Sequence, residues 1–241
     1  MGGGGQNPEL ASAGPPLSGG TQVRRALDVL RRIRELSLKI DNPQVLASDV
    51  CRAMVEALGY RSCWAAMVKP QPAAPADEYS SISCSGFVSF GLSDVARAIL
   101  EKDLADGKVP TCARRCLAGD GVVVSHGLPD CPDCPLRCEG SGHTAFITRI
   151  GDGGRCIGLL AAAVPCGTPV AEDEQALFEQ VAEELSAGLE RIKSHHRLRN
   201  EEAYLRTILS NTPDGFWTLD MDARFVEVND AYCRMSGYSR D

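Results

Sequence analysis

The sequence predicts an α+β fold in which strands, two of them joined in a hairpin, alternate with helices. Apolar residues recur at helical spacing in several segments, short apolar runs lie between these segments, and Gly- or Pro-rich stretches separate the runs. The predicted order is helix, helix, strand, strand, helix, an irregular Cys-rich stretch, strand, strand and helix. A chain of 241 residues has room for two small domains connected by a helix.

The first part of the chain is predicted to be a tail followed by two helices. Residues 1–20 are rich in Gly, Pro, Ala and Ser, a composition typical of a disordered tail. Apolar residues at helical spacing predict an amphipathic helix from Thr21 to Lys39. Asn42 and Pro43 interrupt that pattern, and a second helix follows that ends at Gly59.

The middle of the chain contains the predicted strands. Apolar runs and turn residues delimit each of them. The predicted elements are strands over Ser62–Val68 and Tyr79–Phe90, a helix over Ser93–Ala105, and hairpin strands over His143–Ile150 and Arg155–Pro165. Gly151 to Gly154 form the hairpin turn.

Composition and charge exclude some classes of partner. Hydrophobic residues make up 44% of the chain and charged residues 24%, which is typical of a domain with a buried core. The net charge of −7 gives no basic surface for nucleic acid or for an anionic membrane. No stretch has the length and apolarity of a membrane span, and the N-terminus lacks a secretory signal. We therefore expect a cytoplasmic protein.

One segment, from about Gln44 to Ile192, resembles a GAF domain. The resemblance lies in "ALGYRSCWAAMV", in the paired strands "HTAFITRIGDGGRCIGLLAAAV" and in the helix "AEDEQALFEQVAEELSAGLERI". It implies an antiparallel sheet flanked by helices, with a pocket for a small ligand, and a sensory role for residues 21–192. No motif identifies the ligand, so a GAF-like domain that binds nothing and serves as a dimerising spacer is an alternative.

The last residues, 201–241, resemble the start of a PAS domain. The text "NTPDGFWTLDMDARFVEVNDAYCRMSG" supplies a lead-in turn, two strands and the opening of a helix. Because a whole PAS sheet needs more strands than these, we expect a truncated PAS domain and a chain that is a fragment of a longer protein. The resemblance implies a downstream histidine kinase or diguanylate cyclase in that protein.

A continuous helical pattern runs over residues 172–211 and overlaps the last GAF-like helix. A helix of this length spans about 60 Å, longer than one small domain can cover. The pattern therefore predicts a signalling helix that pairs in a parallel homodimer. In the alternative interpretation, its first half packs on the sheet and only its second half is exposed.

Five of the eleven cysteines fall in a short stretch and predict a metal site. They are Cys112 and Cys116, spaced C-x3-C, and Cys131, Cys134 and Cys138, spaced C-x2-C-x3-C. Close pairs of thiolates can converge on one metal, so we expect Cys112, Cys116, Cys131 and Cys134 to share it, with Cys138 as the alternative fourth ligand. The spacing does not distinguish zinc from an iron–sulfur cluster.

Two other interpretations of the cysteines stay open. Arg114, Arg115 and Arg137 lie close in sequence and could lower thiol pKa values, which favours a thiol redox switch without metal. The cysteines could also be incidental small apolar residues. His126 or His143 could replace one cysteine as a ligand.

No catalytic residues can be assigned from sequence motifs. The chain has no phosphate-binding loop and no nucleophile elbow, and the glycines of residues 151–154 are explained by a turn. We therefore expect this fragment to be a sensory input module of a bacterial signalling protein and not an enzyme. The alternative from another class is a sulfoxide reductase on a GAF-like fold, which also uses cysteines.

Overall fold

The computed structural model describes residues 19–69, 83–119, 121–126, 129–134, 144–152, 155–164 and 172–239. The chain divides into two compact units, Met1–Ala187 and Gly188–Asp241, and the division falls inside one long helix. Within the described ranges, none of the helices combines the length and the apolarity that crossing a bilayer would require.

The first unit is built from helices and strands in nearly the predicted order. Its elements are α1 (Gly19–Lys39), α2 (Pro43–Leu58), β1 (Ser62–Val68), β2 (Cys84–Phe90), α3 (Asp94–Ala105), α4 (Thr111–Ala118), β3 (Val123–Ser125), β4 (Thr144–Asp152), β5 (Arg155–Val164) and the first half of α5 (Glu172–Asn211). The α+β fold class is confirmed.

The strands of the first unit form one antiparallel sheet. Its five strands lie in the order β2-β1-β5-β4-β3. Each neighbouring pair is antiparallel, and the register places Trp64 of β1 beside Ala161 of β5, which in turn lies beside Ile147 of β4. These three side chains lie on the same face of the sheet and belong to the apolar core beneath α3 and α4.

The two faces of the sheet are covered by different helices. All seven residues of β1 are buried, as the apolar sequence of this strand predicts. On one face α3 and α4 pack over Trp64 and Leu159. On the other face, Phe146 of β4 stacks near Phe178 of α5, with ring centroids 5.6 Å apart. This division gives the molecule two separate cores, and the cysteine-rich stretch belongs to the first.

Local sequence signals explain both ends of α2. The Asn42 side chain accepts hydrogen bonds from the N–H groups of Gln44 and Val45 at 3.0 and 3.1 Å, and Pro43 opens the helix. Gly59 ends it in the left-handed conformation, with φ of 80°. The predicted break and the predicted stop are therefore confirmed.

The interpretation of the Cys-rich stretch as irregular is wrong over two segments. Helix α4 and strand β3 lie there. Ala113, Cys116 and Leu117 are the buried residues of α4, so the helix has an apolar face only if cysteine is counted as apolar. The predicted tail, apart from its last two residues, lies outside the described residues, as do Cys138 and His143.

The second unit contains the rest of α5, a two-stranded antiparallel sheet of β6 (Trp217–Leu219) and β7 (Phe225–Val228), and α6 (Asp230–Ser236). Asn229 joins its parts. The buried amide of Asn229 accepts hydrogen bonds from the N–H groups of Phe216 and Tyr232 and donates to the carbonyl groups of Leu209 and Asp214, at 2.8 to 2.9 Å.

The turn after β2 gives a test of the sheet. Gly91 has φ of 78°, and a Cβ there would collide with the backbone carbonyl of Arg61. Gly59 has a similar φ but faces open space. We expect Gly59→Ala to cost ~1–2 kcal/mol of unfolding free energy through backbone strain alone. Gly91→Ala should cost at least ~1 kcal/mol more, because the backbone must also move.

Urea unfolding followed by circular dichroism measures this difference. Gly86→Ala is a control without positive φ, since a Cβ there would meet only ordinary contacts with Gln44 and Met67. Equal losses for the Gly59 and Gly91 variants would contradict the close approach of Gly91 to Arg61.

Candidate functional site

Three of the five predicted cysteine ligands come together beside α4. Cys112 is the second residue of this helix, and Cys131 and Cys134 lie in the turn that follows β3. The sulfur atoms of Cys112 and Cys131 are 3.6 Å apart, and the thiol of Cys134 also hydrogen-bonds to Cys131. Cys131 and Cys134 are only 1% and 7% exposed. These three residues form what we call the thiol cluster.

Asp133 fixes the turn of the thiol cluster against α4. Pro110 precedes α4 and provides no side-chain cap. Instead, the Asp133 carboxylate accepts a hydrogen bond from the N–H of Thr111 at 2.8 Å, although Asp133 is distant in sequence. Within the turn, the N–H of Cys134 donates to the carbonyl of Cys131 at 3.1 Å. The cap of α4 and the position of Cys131 therefore depend on one carboxylate.

Arg114 completes this connection. Its guanidinium donates to the second carboxylate oxygen of Asp133 at 2.9 Å, to the hydroxyl of Thr111 at 2.8 Å and to the carbonyl of Val109 at 2.9 Å. The carboxylate of Asp133 thus holds both the helix backbone and an arginine of the same helix. We call Asp133, Arg114 and Thr111 the Asp133 clamp.

The thiols of the cluster have opposite tendencies to ionise. Hydrogen bonds from Cys112 and Cys134 lower the pKa of Cys131, although burial and Asp133 oppose this effect. The hydrogen bond with Cys131, together with burial, raises the pKa of Cys112. One sulfur is therefore the preferred anion of the cluster, and its neighbours keep their protons for it.

Cys116 belongs to a different environment. Burial raises the pKa of the Cys116 thiol to about 12, Cys156 of β5 adds to the rise, and Arg149 of β4 opposes it. Burial also raises the pKa of Cys156. The predicted spacing places Cys112 and Cys116 one helical turn apart, but Cys116 is influenced by Cys156 and not by the thiol cluster.

The other predicted ligands are not part of the described cluster. Cys138 and His143 lie outside the described residues. The backbone N–H of His126 donates to Asp130 at 2.7 Å, and its ring nitrogen Nδ1 is 3.4 Å from the hydroxyl of Thr144. In the described part of the chain, no group of three or more His, Cys, Asp or Glu side chains already has the arrangement of a metal site.

Sequence reasoning missed two functional neighbours. Asp133 lies within the C-x-x-C segment, but a single carboxylate in a turn gives no signal of a contact with Thr111, twenty-two residues earlier. Cys156 lies in a strand pattern, where an isolated cysteine is normally a small apolar residue.

A small cavity lies next to the thiol cluster. Cys112 and Cys134 line it together with apolar residues of the sheet and of α3, and its volume is about 30 Å³. Pockets for drug-sized ligands have volumes of roughly 300–1,000 Å³. A nucleotide or tetrapyrrole, of the kinds that the GAF resemblance implies, would therefore require a substantial rearrangement here.

Comparisons with known proteins place this geometry in context. A family model described as a PAS domain matches residues 203–241. No curated protein matches the chain. Free methionine-R-sulfoxide reductase from Neisseria meningitidis, solved with its substrate, is 14% identical, with a TM-score of 0.51, over 77% of this chain and 99% of the reductase.

Two further solved structures are similar in outline. The GAF domain of a phosphoenolpyruvate-protein phosphotransferase from Coxiella burnetii is 15% identical, with a TM-score of 0.48, over 72% of this chain and 98% of that domain. A segment of a methyl-accepting chemotaxis protein is 15% identical, with a TM-score of 0.47, over 66% of this chain and 96% of that segment.

At these identities the likeness to solved structures concerns the fold alone. The reductase covers most of the chain, and the five-stranded antiparallel sheet with flanking helices agrees with the predicted architecture. The chain therefore has a GAF-like fold followed by a segment that matches the start of a PAS domain.

Proposed function

We propose that this chain is the sensory input module of a bacterial signal-transduction protein, in which the thiol cluster binds a metal and α5 relays the state of that site. The observation that carries the proposal is the approach of the Cys112 and Cys131 sulfur atoms to 3.6 Å. The GAF-like fold and the PAS match are consistent with this role.

The sulfur–sulfur distance fits shared coordination. Two thiolates bound to one tetrahedral zinc at ~2.3 Å are about 3.8 Å apart. A disulfide would instead require a separation of ~2.05 Å. The pair is thus close to the spacing of two ligands of one metal. Cys134, in the same turn as Cys131, would be the third ligand.

A fourth sulfur could come from either end of the predicted set. Cys116 would have to turn away from Cys156, whereas Cys138 follows Cys134 by four residues in the sequence. The second choice leaves the environment of Cys116 undisturbed, so we favour Cys138. Zinc would make the site structural, and an iron–sulfur cluster would make it redox-active.

Relay through α5 requires a second chain. In the second unit, Leu198, Leu205 and Ile208 are 58%, 57% and 46% exposed, and their spacing of seven and three residues places them along one stripe of the helix. A parallel homodimer would bury this stripe. Every cysteine in the described ranges is a free thiol, which fits a cytoplasmic location, and a kinase or cyclase domain would follow in the longer protein.

We predict that Cys131→Ser and Cys134→Ser together abolish metal binding, because they remove the preferred anion of the cluster and its neighbour. The full chain should be purified without oxygen, then examined by elemental analysis and by its absorption spectrum, which separate zinc from an iron–sulfur cluster. The matched control is Cys84→Ser with Cys233→Ser, two free cysteines outside the cluster.

Unchanged stoichiometric metal in the cluster variant would refute the metal site, and so would a wild-type chain without metal. A metal-free chain that forms a reversible Cys112–Cys131 disulfide would support the thiol switch. Turnover of methionine sulfoxide would place the chain among enzymes.

The Asp133 clamp gives a second prediction. Asp133→Asn removes the negative charge that pairs with Arg114, so the turn should sit less firmly on α4. We expect metal affinity to fall ~10–100-fold, the usual cost of losing an outer-shell partner. Competition with a chelating dye measures the affinity.

Asp130→Asn is the matched control, because Asp130 flanks Cys131 on the other side but accepts a hydrogen bond from His126 and makes none to α4. An equal loss in both variants would indicate a general effect of charge and not the clamp.

The dimer gives a third prediction. Leu205→Glu with Ile208→Glu would bury two charges in the proposed interface, so the dimer should weaken by at least ~100-fold. Light scattering at tens of micromolar should report a dimer for the wild type and a monomer for this variant. Ala203→Glu with Thr207→Glu adds the same charge to the opposite face of the helix and should leave the dimer intact. A monomeric wild type would contradict the proposal.

A further inference from the structure

The cavity beside the thiol cluster has walls of two kinds. Trp64, Leu100, Ile147 and Ala161 belong to the apolar core between the sheet and α3. Cys112 and Cys134 complete the lining from α4 and from the turn. The cavity therefore lies between the apolar core and the sulfur atoms.

The volume of the cavity limits what it can hold. It measures about 30 Å³. On this measure a cavity needs ~10–15 Å³ to hold one water molecule, so the space suits a molecule of two or three heavy atoms. Larger organic ligands do not fit.

The chemistry of the lining narrows the choice further. Among the described lining residues, Ser125 supplies the one hydroxyl, and the rest of the surface is mostly carbon and sulfur. A water molecule needs two to four polar partners, and an ion needs still more compensation. An apolar cavity of this kind instead takes up small neutral molecules, as xenon-binding cavities do.

We propose that this cavity binds a neutral, weakly polar diatomic molecule, the class of nitric oxide and dioxygen, and delivers it to the sulfur atoms of Cys112 and Cys134. The delivery step rests on the proposed metal site, whereas the binding step does not. The signal that this module detects would accordingly be a dissolved gas, and the size of the cavity would exclude bulkier molecules.

Xenon tests the binding step independently of any metal. Methyl resonances of the full chain are recorded under increasing xenon pressure. Leu100, Ile147 and Ala161 should shift in a saturable way, and Leu46, buried on the other face under α2, should not. Ala161→Val fills the cavity with a residue suited to a strand and should weaken xenon binding at least about tenfold, or ~1.4 kcal/mol.

Ala162→Val is the matched control, because Ala162 is also buried in β5 but faces the opposite side of the sheet. If Ala161→Val fails to fold, Ser125→Val narrows the cavity from β3. Absence of saturable shifts at the three cavity residues in the wild type would overturn the proposal, whatever the metal content.

Nitric oxide tests the delivery step in chains shown by elemental analysis to hold metal. The rate at which dissolved nitric oxide changes the metal–thiolate absorption should fall at least about tenfold in Ala161→Val and stay unchanged in Ala162→Val. Equal rates in all three chains would refute delivery through the cavity. Metal content that stays constant across the variants separates this result from failure of the metal site itself.

Discussion

The structure of the first unit depends on strand β1, which is buried on both faces and hydrogen-bonded on both edges. Such a strand must be apolar along its whole length, and its alternating side chains must satisfy two different cores. Trp64 points into the core under α3 and α4. Cys63 approaches Cys51 of α2 on the other face. The position of every other element follows from one of these two faces.

This arrangement separates chemistry from helix packing. The thiol cluster and its cavity lie on the α3 and α4 face, whereas Phe146, Phe178 and Tyr60 form an aromatic group on the face that carries α5. A change at the cysteines can reach α5 only through the sheet, most directly through β4 and β5. Ser186 of α5 accepts a hydrogen bond from the N–H of Gly151 at the end of β4, which gives such a change a defined contact.

The Asp133 clamp shows how a short helix is stabilised when its own sequence lacks a cap. Eight residues after a proline would be marginal as an isolated helix. The carboxylate of Asp133 supplies the missing acceptor and also pairs with Arg114. Because the same residue lies in the turn of Cys131 and Cys134, formation of α4 and assembly of the thiol cluster are coupled. Order in the helix and order in the site would then change together.

The sequence alone determined the elements whose signals are local. The apolar run of β1, the Asn42 and Gly59 ends of α2, and the forty-residue pattern of α5 all depend on neighbouring residues. Only the tertiary structure decided which cysteines meet. Spacing paired Cys112 with Cys116, but the fold turns Cys116 toward Cys156 and joins Cys112 to the distant turn, because Asp133 caps α4 across a gap in sequence that no local pattern records.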